Sequence, residues 1–115
     1  MKLNYKKKIK SKFVISRNFK TLDKILSVTK CLISSDTGVP HYASLRFNTD
    51  IILVCGPSNP NISKPMFSNV SVIKTFQKLN CMPCINTKLW GNCDKNIKCL
   101  ETIDQNEIIY KVINL

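Results

Sequence analysis

The stretch Ser35-Asp36-Thr37-Gly38-Val39-Pro40-His41 gathers a carboxylate, hydroxyls, a glycine and the chain's single histidine into one turn-sized segment. Those residue types suit an anion. Gly38 has no Cβ, so backbone can approach a phosphate closely. If a helix begins here, its first amides offer unpaired N–H groups and the positive end of the helix dipole. Pro40 fits a first helical turn, because its φ is preset and its missing N–H would be unpaired there anyway. Thr37 can add a hydroxyl donor, and His41 a ring N–H or, when protonated, a positive charge. A plainer reading competes: Ser-Asp-Thr-Gly is also an ordinary turn, with Asp36 bonding its own backbone.

The second chemical cluster is Cys81, Cys84, Cys93 and Cys99, which opens with a Cys-x-x-Cys pair. Paired so closely, two thiolates can reach one ion from a tight turn, as in structural zinc sites. The Cys93 and Cys99 pair is less regular than a zinc-ribbon knuckle. Buried thiols packing a loop-rich tail are the alternative. Cys31 and Cys55 end apolar runs and read as core. With one histidine, already in the anion loop, no cysteine has a partner base for nucleophilic catalysis. Trp90 reads first as packing, second as a platform for a base or sugar ring.

Positioning these groups requires alternating strands and helices. Phe13-Val14-Ile15 reads as a short buried strand. Thr21 reads as the N-cap of a helix ending near Lys30, with Leu22, Ile25 and Leu26 on one face and Asp23 in its first turn. Cys31 to Ser34 reads as a strand, Pro40 to Arg46 as a short helix, and Asp50 to Cys55 as the next strand. Gly56-Pro57 stops it, and Ser58 to Pro65 is a loop rich in Pro, Asn and Ser. Val70 to Lys74 reads as a last strand. Thr102 to Asn114 closes the chain as a helix with Ile103, Ile108 and Val112 on its inner face and Glu107 near the interior. The alternation predicts an α/β fold of parallel βαβ units. The Asp36 loop then falls at the carboxyl end of a strand, where open α/β sheets bind ligands.

Composition sets the outer limits. The 115 residues suffice for one domain, and 43% hydrophobic with 22% charged residues is a globular balance. No apolar run approaches the roughly 20 residues of a membrane span. The basic opening Met1 to Lys12 reads as a poorly ordered lead-in and lacks the apolar core of a signal peptide, so a cytoplasmic location is expected. The net charge of +11 invites a polyanionic partner. Lys far outnumbers Arg, however, and nucleic-acid readers lean on Arg.

Three segments in order resemble glycosyltransferase family 9, the lipopolysaccharide heptosyltransferases. Leu26 to Ser44 resembles that family's helix, apolar strand, Asp-Thr-Gly, two variable residues, His and small-residue helix. Ile52-Leu53-Val54-Cys55-Gly56-Pro57-Ser58-Asn59-Pro60 is similar to its strand followed by Gly-Pro-Thr/Ser-x-Pro, and Cys81-Met82-Pro83-Cys84 with Cys93 and Cys99-Leu100 to its cysteine-bearing tail. The resemblance covers about residues 13–115. It implies a partial GT-B nucleotide-sugar-binding domain, Rossmann-like, whose tail (81–115) holds four cysteines and a terminal helix. It also implies that Thr37, Gly38 and His41 hold the diphosphate of a nucleotide sugar such as ADP-heptose, while Asp36 bonds sugar hydroxyls or fixes the loop. Transfer in such a family inverts the anomeric centre and needs no catalytic metal. The family's N-terminal domain, which binds the lipopolysaccharide-core acceptor and supplies the general base, has no counterpart in this sequence. Asp50, Asp94, Glu101 and Asp104 offer no evident replacement. The expectation is therefore a truncated or split binding part, inactive by itself. The rival expectation is a small basic zinc-binding protein associated with nucleic acid, with Cys81, Cys84, Cys93 and Cys99 as ligands.

Overall fold

The computed structural model describes residues 10–115. Of the basic lead-in, Lys2, Lys6, Lys7 and Lys8 fall outside the described residues, while Lys10 and Lys12 are exposed and irregular.

Helix α1 spans Phe19–Leu26. Its cap is Asn18, whose Oδ1 accepts the Thr21 N–H at 2.9 Å. The expected cap at Thr21 is thus three residues late, because an Asn side chain ahead of Phe19 satisfies the free amide first. The helix also stops at Leu26 rather than near Lys30, and Asp23 lies mid-helix. There it accepts the Tyr42 hydroxyl at 2.6 Å and the Arg46 guanidinium at 3.4 Å. Phe13-Val14-Ile15 forms no strand. All three side chains are exposed, and the run pairs with neither edge of the sheet.

Strands β1 (Cys31–Ser35), β2 (Asp50–Cys55) and β3 (Val70–Lys74) match the expected runs. They form one parallel sheet in the order β1-β2-β3, with Leu32 opposite Ile51 and Ile51 opposite Val70. Parallel strands covered on both faces carry unbroken apolar runs. The central strand obeys this: Ile51, Ile52 and Leu53 are all buried. On one face Ile51, Leu53 and Cys55 pack with Leu26 of α1 and with Ala43 of helix α2, which spans Gly38–Arg46. That helix begins two residues ahead of Pro40. Val54 and Ile73 alternate onto the opposite face, where the tail lies.

A single helical turn, α3 (Pro60–Ser63), interrupts the expected 58–65 loop, capped by Asn59. The closing segment is two helices, α4 (Lys98–Glu101) and α5 (Gln105–Ile113), not one from Thr102. The break follows from two local bonds. The Thr102 hydroxyl joins that of Thr75 beyond β3, and Asp104 Oδ1 caps α5 by accepting the Asn106 N–H at 2.9 Å. Helix α5 packs on β3 with Ile108 and Ile109 half-buried, whereas Glu107 is exposed and not near an interior. The chain is mixed α/β around a small three-stranded parallel sheet. No described helix is long and apolar enough to cross a membrane.

Candidate functional site

Two loops leave the carboxyl ends of adjacent parallel strands. One is Asp36-Thr37 between β1 and α2; the other is Gly56 to Asn59 between β2 and α3. The sheet runs in sequential order, so no reversal opens a crevice between its strands, and the loops themselves must build any site.

At the first loop, Thr37 is the N-cap of α2, yet its side chain caps no amide. Its hydroxyl donates instead to the Ser35 carbonyl at 3.5 Å. The first turn of α2 holds no acidic residue, so no side-chain anion competes for its dipole. A Cβ added at Gly38 would meet nothing within 4 Å. The glycine therefore faces open space, which leaves the backbone approachable. His41 Nε2 stands 3.7 Å from Asp36 Oδ1, with the His41 side chain 45% and the Asp36 side chain 17% exposed. This pair ties the start of the loop to the first turn of the helix.

Asp36 also lines a cavity of about 270 Å³ with Gly56, Pro57, Ser58, Trp90 and Leu100. Thr37, Gly38 and His41 do not line it. They form a second, open surface beside it. The volume lies just under the roughly 300–1,000 Å³ of small-molecule sites; it suits a sugar-sized group rather than a whole nucleotide sugar. Ser58 is 6% exposed and its hydroxyl oxygen has no hydrogen-bond partner. The Cys55 thiol lies beside it. Burial raises the pKa of that thiol, and Ser58 and Lys74 partly offset the rise. A thiol is a weak partner that leaves the hydroxyl's bonding capacity mostly unused. Ser58 is the residue missed by sequence reasoning; its position directly after a strand and Gly56-Pro57 was the available signal.

The tail seats on the same loop. The Pro57 carbonyl accepts the Cys84 N–H at 3.0 Å and the Ile85 N–H at 3.3 Å. Leu100 lies so close over Gly56 that a Cβ there would approach its Cδ2 to 2.6 Å. Trp90 does not serve as core packing. It is 53% exposed and lines both this cavity and a larger one.

The larger cavity, about 470 Å³, brings together Cys84, Cys93 and Cys99 with Leu89, Trp90 and Ile97. All six cysteines are free thiols. Burial pushes the Cys99 thiol above its ordinary value, and nearby Cys84, Cys93 and Cys81 push it further. The Cys93 sulfur accepts the Ile97 N–H at 3.3 Å. Among the described residues, no group of three or more His, Cys, Asp or Glu side chains is placed so that it could hold a metal ion without moving.

Four other carboxylates are engaged elsewhere, and Glu107 is exposed on α5. Asp50 accepts Asn69 Nδ2 at 2.9 Å, Asp94 pairs with Lys95 at 3.3 Å, Glu101 accepts Asn96 Nδ2 at 3.4 Å, and Asp104 caps α5. Of the two arginines, Arg46 is committed to Asp23 and stacks 5.7 Å from the Tyr42 ring centroid. Compared with protein-family models, curated proteins and solved structures, the chain matches none of them.

Proposed function

We propose that the chain is the nucleotide-sugar-binding part of an inverting glycosyltransferase of the heptosyltransferase type. In this reading the diphosphate rests against the uncapped start of α2, on the amides from Thr37 to Val39, the Thr37 hydroxyl and the His41 ring. The sugar enters the neighbouring cavity. Asp36, turned into that cavity, bonds its hydroxyls rather than facing a phosphate, because two anions repel. Trp90 offers an aromatic face to the ring. The observation that carries the reading is the start of α2: Thr37 caps none of its amides, and Asp36, 3.7 Å from His41, lines the adjacent cavity.

With Asp36 the one described carboxylate that lines the cavity, the reading assigns binding and leaving-group stabilisation, not base catalysis. Transfer to a lipopolysaccharide-core acceptor would require a further domain to supply acceptor site and base. Calorimetric titration tests the proposal. ADP should bind, and His41→Ala and Thr37→Ala should each weaken it about tenfold or more, the worth of a hydrogen bond to a charged group. Trp90→Ala should leave ADP binding intact and weaken only the sugar-bearing ligand. No heat of binding from a chain with intact circular dichroism would sink the reading.

A further inference from the structure

We propose that Cys81, Cys84, Cys93 and Cys99 bind one zinc ion that fastens the tail beside the candidate site. Three of the thiols, Cys84, Cys93 and Cys99, line one cavity, and Cys81 stands three residues before Cys84. Four thiolates are a complete tetrahedral set for Zn²⁺, with sulfurs about 2.3 Å from the ion. The cavity of about 470 Å³ leaves the sulfurs room to turn inward.

Two further observations point to a metal rather than to simple packing. The first is backbone strain. Ile97 has φ +51°, a left-handed conformation that a β-branched residue rarely adopts. It is held there four residues after Cys93, with its N–H aimed at the Cys93 sulfur. An N–H donated to sulfur is the outer-shell contact that steadies a metal-bound thiolate. Asn86, Gly91 and Asn96 also have positive φ, so tight turns recur between the four cysteines. The second is the lack of any other staple. No described residue after Thr75 is buried, and a segment that cannot bury a core needs a cross-link or an ion to hold one shape. A disulfide would consume the sulfurs in pairs and weaken Cys93 as an acceptor, whereas a single ion uses all four. Binding converts thiols to thiolates and releases their protons, so affinity falls as the pH is lowered.

The site stands apart from the nucleotide-sugar reading and its test needs no nucleotide. The full chain, reduced and stripped of metal, is titrated with Co²⁺ as the spectroscopic probe and then with Zn²⁺. The expected result is a sulfur-to-cobalt charge-transfer band saturating at one ion per chain and abolished by zinc. Thiol labelling should then find Cys81, Cys84, Cys93 and Cys99 protected by zinc while Cys31 and Cys55 are unaffected. Cys93→Ser and Cys99→Ser should each weaken binding by about 100-fold or more, beyond the usual cost of an outer-shell change, with Cys31→Ser as the neutral control. Absence of the band, labelling unchanged by zinc, or peptide mapping that finds these cysteines paired as disulfides would each overturn the site.

Discussion

The sheet and the tail solve the same problem by different means. From Phe19 to Lys74 the chain is held by burial: Ile51, Ile52 and Leu53 are almost wholly withdrawn from water, and two helices cover one face. Beyond Thr75 nothing is buried, and Trp90, Ile97 and Leu100 remain about half exposed. The tail's order comes from turns, from hydrogen bonds to the Pro57 carbonyl, and from α5 resting on β3. Hydrophobic area anchors the first region without any ligand. The second carries its specificity in a few polar and sulfur contacts, which makes it the region that a ligand can organise.

Substitutions should separate the two. Leu53→Ala should cost about 2–5 kcal/mol in chemical denaturation, as for other buried leucines. Leu89→Ala, measured without metal, should cost less than about 1 kcal/mol, within the range of surface changes. Equal costs would mean that the tail shares the sheet's core. Next in size is Gly56→Ala, whose new Cβ collides with Leu100. It should cost about 1–3 kcal/mol as overpacking, and hydrogen exchange should show the loss in the tail while β1 to β3 stay protected. Gly38→Ala has no such neighbour. It should change stability by less than about 1 kcal/mol, with any change favouring the alanine helix start, yet weaken ADP binding by blocking the open approach. Equal affinity in the variant would remove Gly38 from the site.

Titration gives the finest contrast. Burial raises the Cys55 thiol above 9.0. Because the folded value exceeds the unfolded one, this contribution to stability is complete below pH 9.0 and is lost as the pH climbs through the folded value. The melting temperature should therefore fall on the alkaline side, and less steeply in Cys55→Ala. Tyr42 is shifted upward as well, chiefly by the hydrogen bond to Asp23, with a smaller contribution from burial. Asp23→Asn should bring its phenolate absorbance in at lower pH while the fold is unchanged.

The three strands were legible because each is an apolar run closed by a punctuating residue, and Gly56-Pro57 marks the end of β2. The start of α1 was not, since Asn18 and Thr21 are both good caps, and it is the Asn18 side chain that takes the free Thr21 amide. Phe13-Val14-Ile15 had the composition of a strand but pairs with neither edge of the sheet. At the candidate site, Asp36, Thr37, Gly38 and His41 were legible as a group, and the structure does bring Asp36 to His41. Ser58 was hidden, and Trp90 read first as packing, for a different reason. Their relevance lies in a cavity assembled from segments 22 and 32 residues apart, counted from Asp36 to Ser58 and from Ser58 to Trp90, and no local pattern encodes that meeting.

The seat of Leu100 on Gly56, beside the hydrogen bonds to Pro57, has a thermodynamic consequence. The same loop forms one wall of the Asp36 cavity and the landing place of the tail. A ligand that prefers the cavity with the tail seated draws the tail down, and whatever fixes the tail must tighten that ligand by an equal free energy. The four cysteines and the Asp36 loop are then reciprocal partners across a single glycine, each able to read the occupancy of the other.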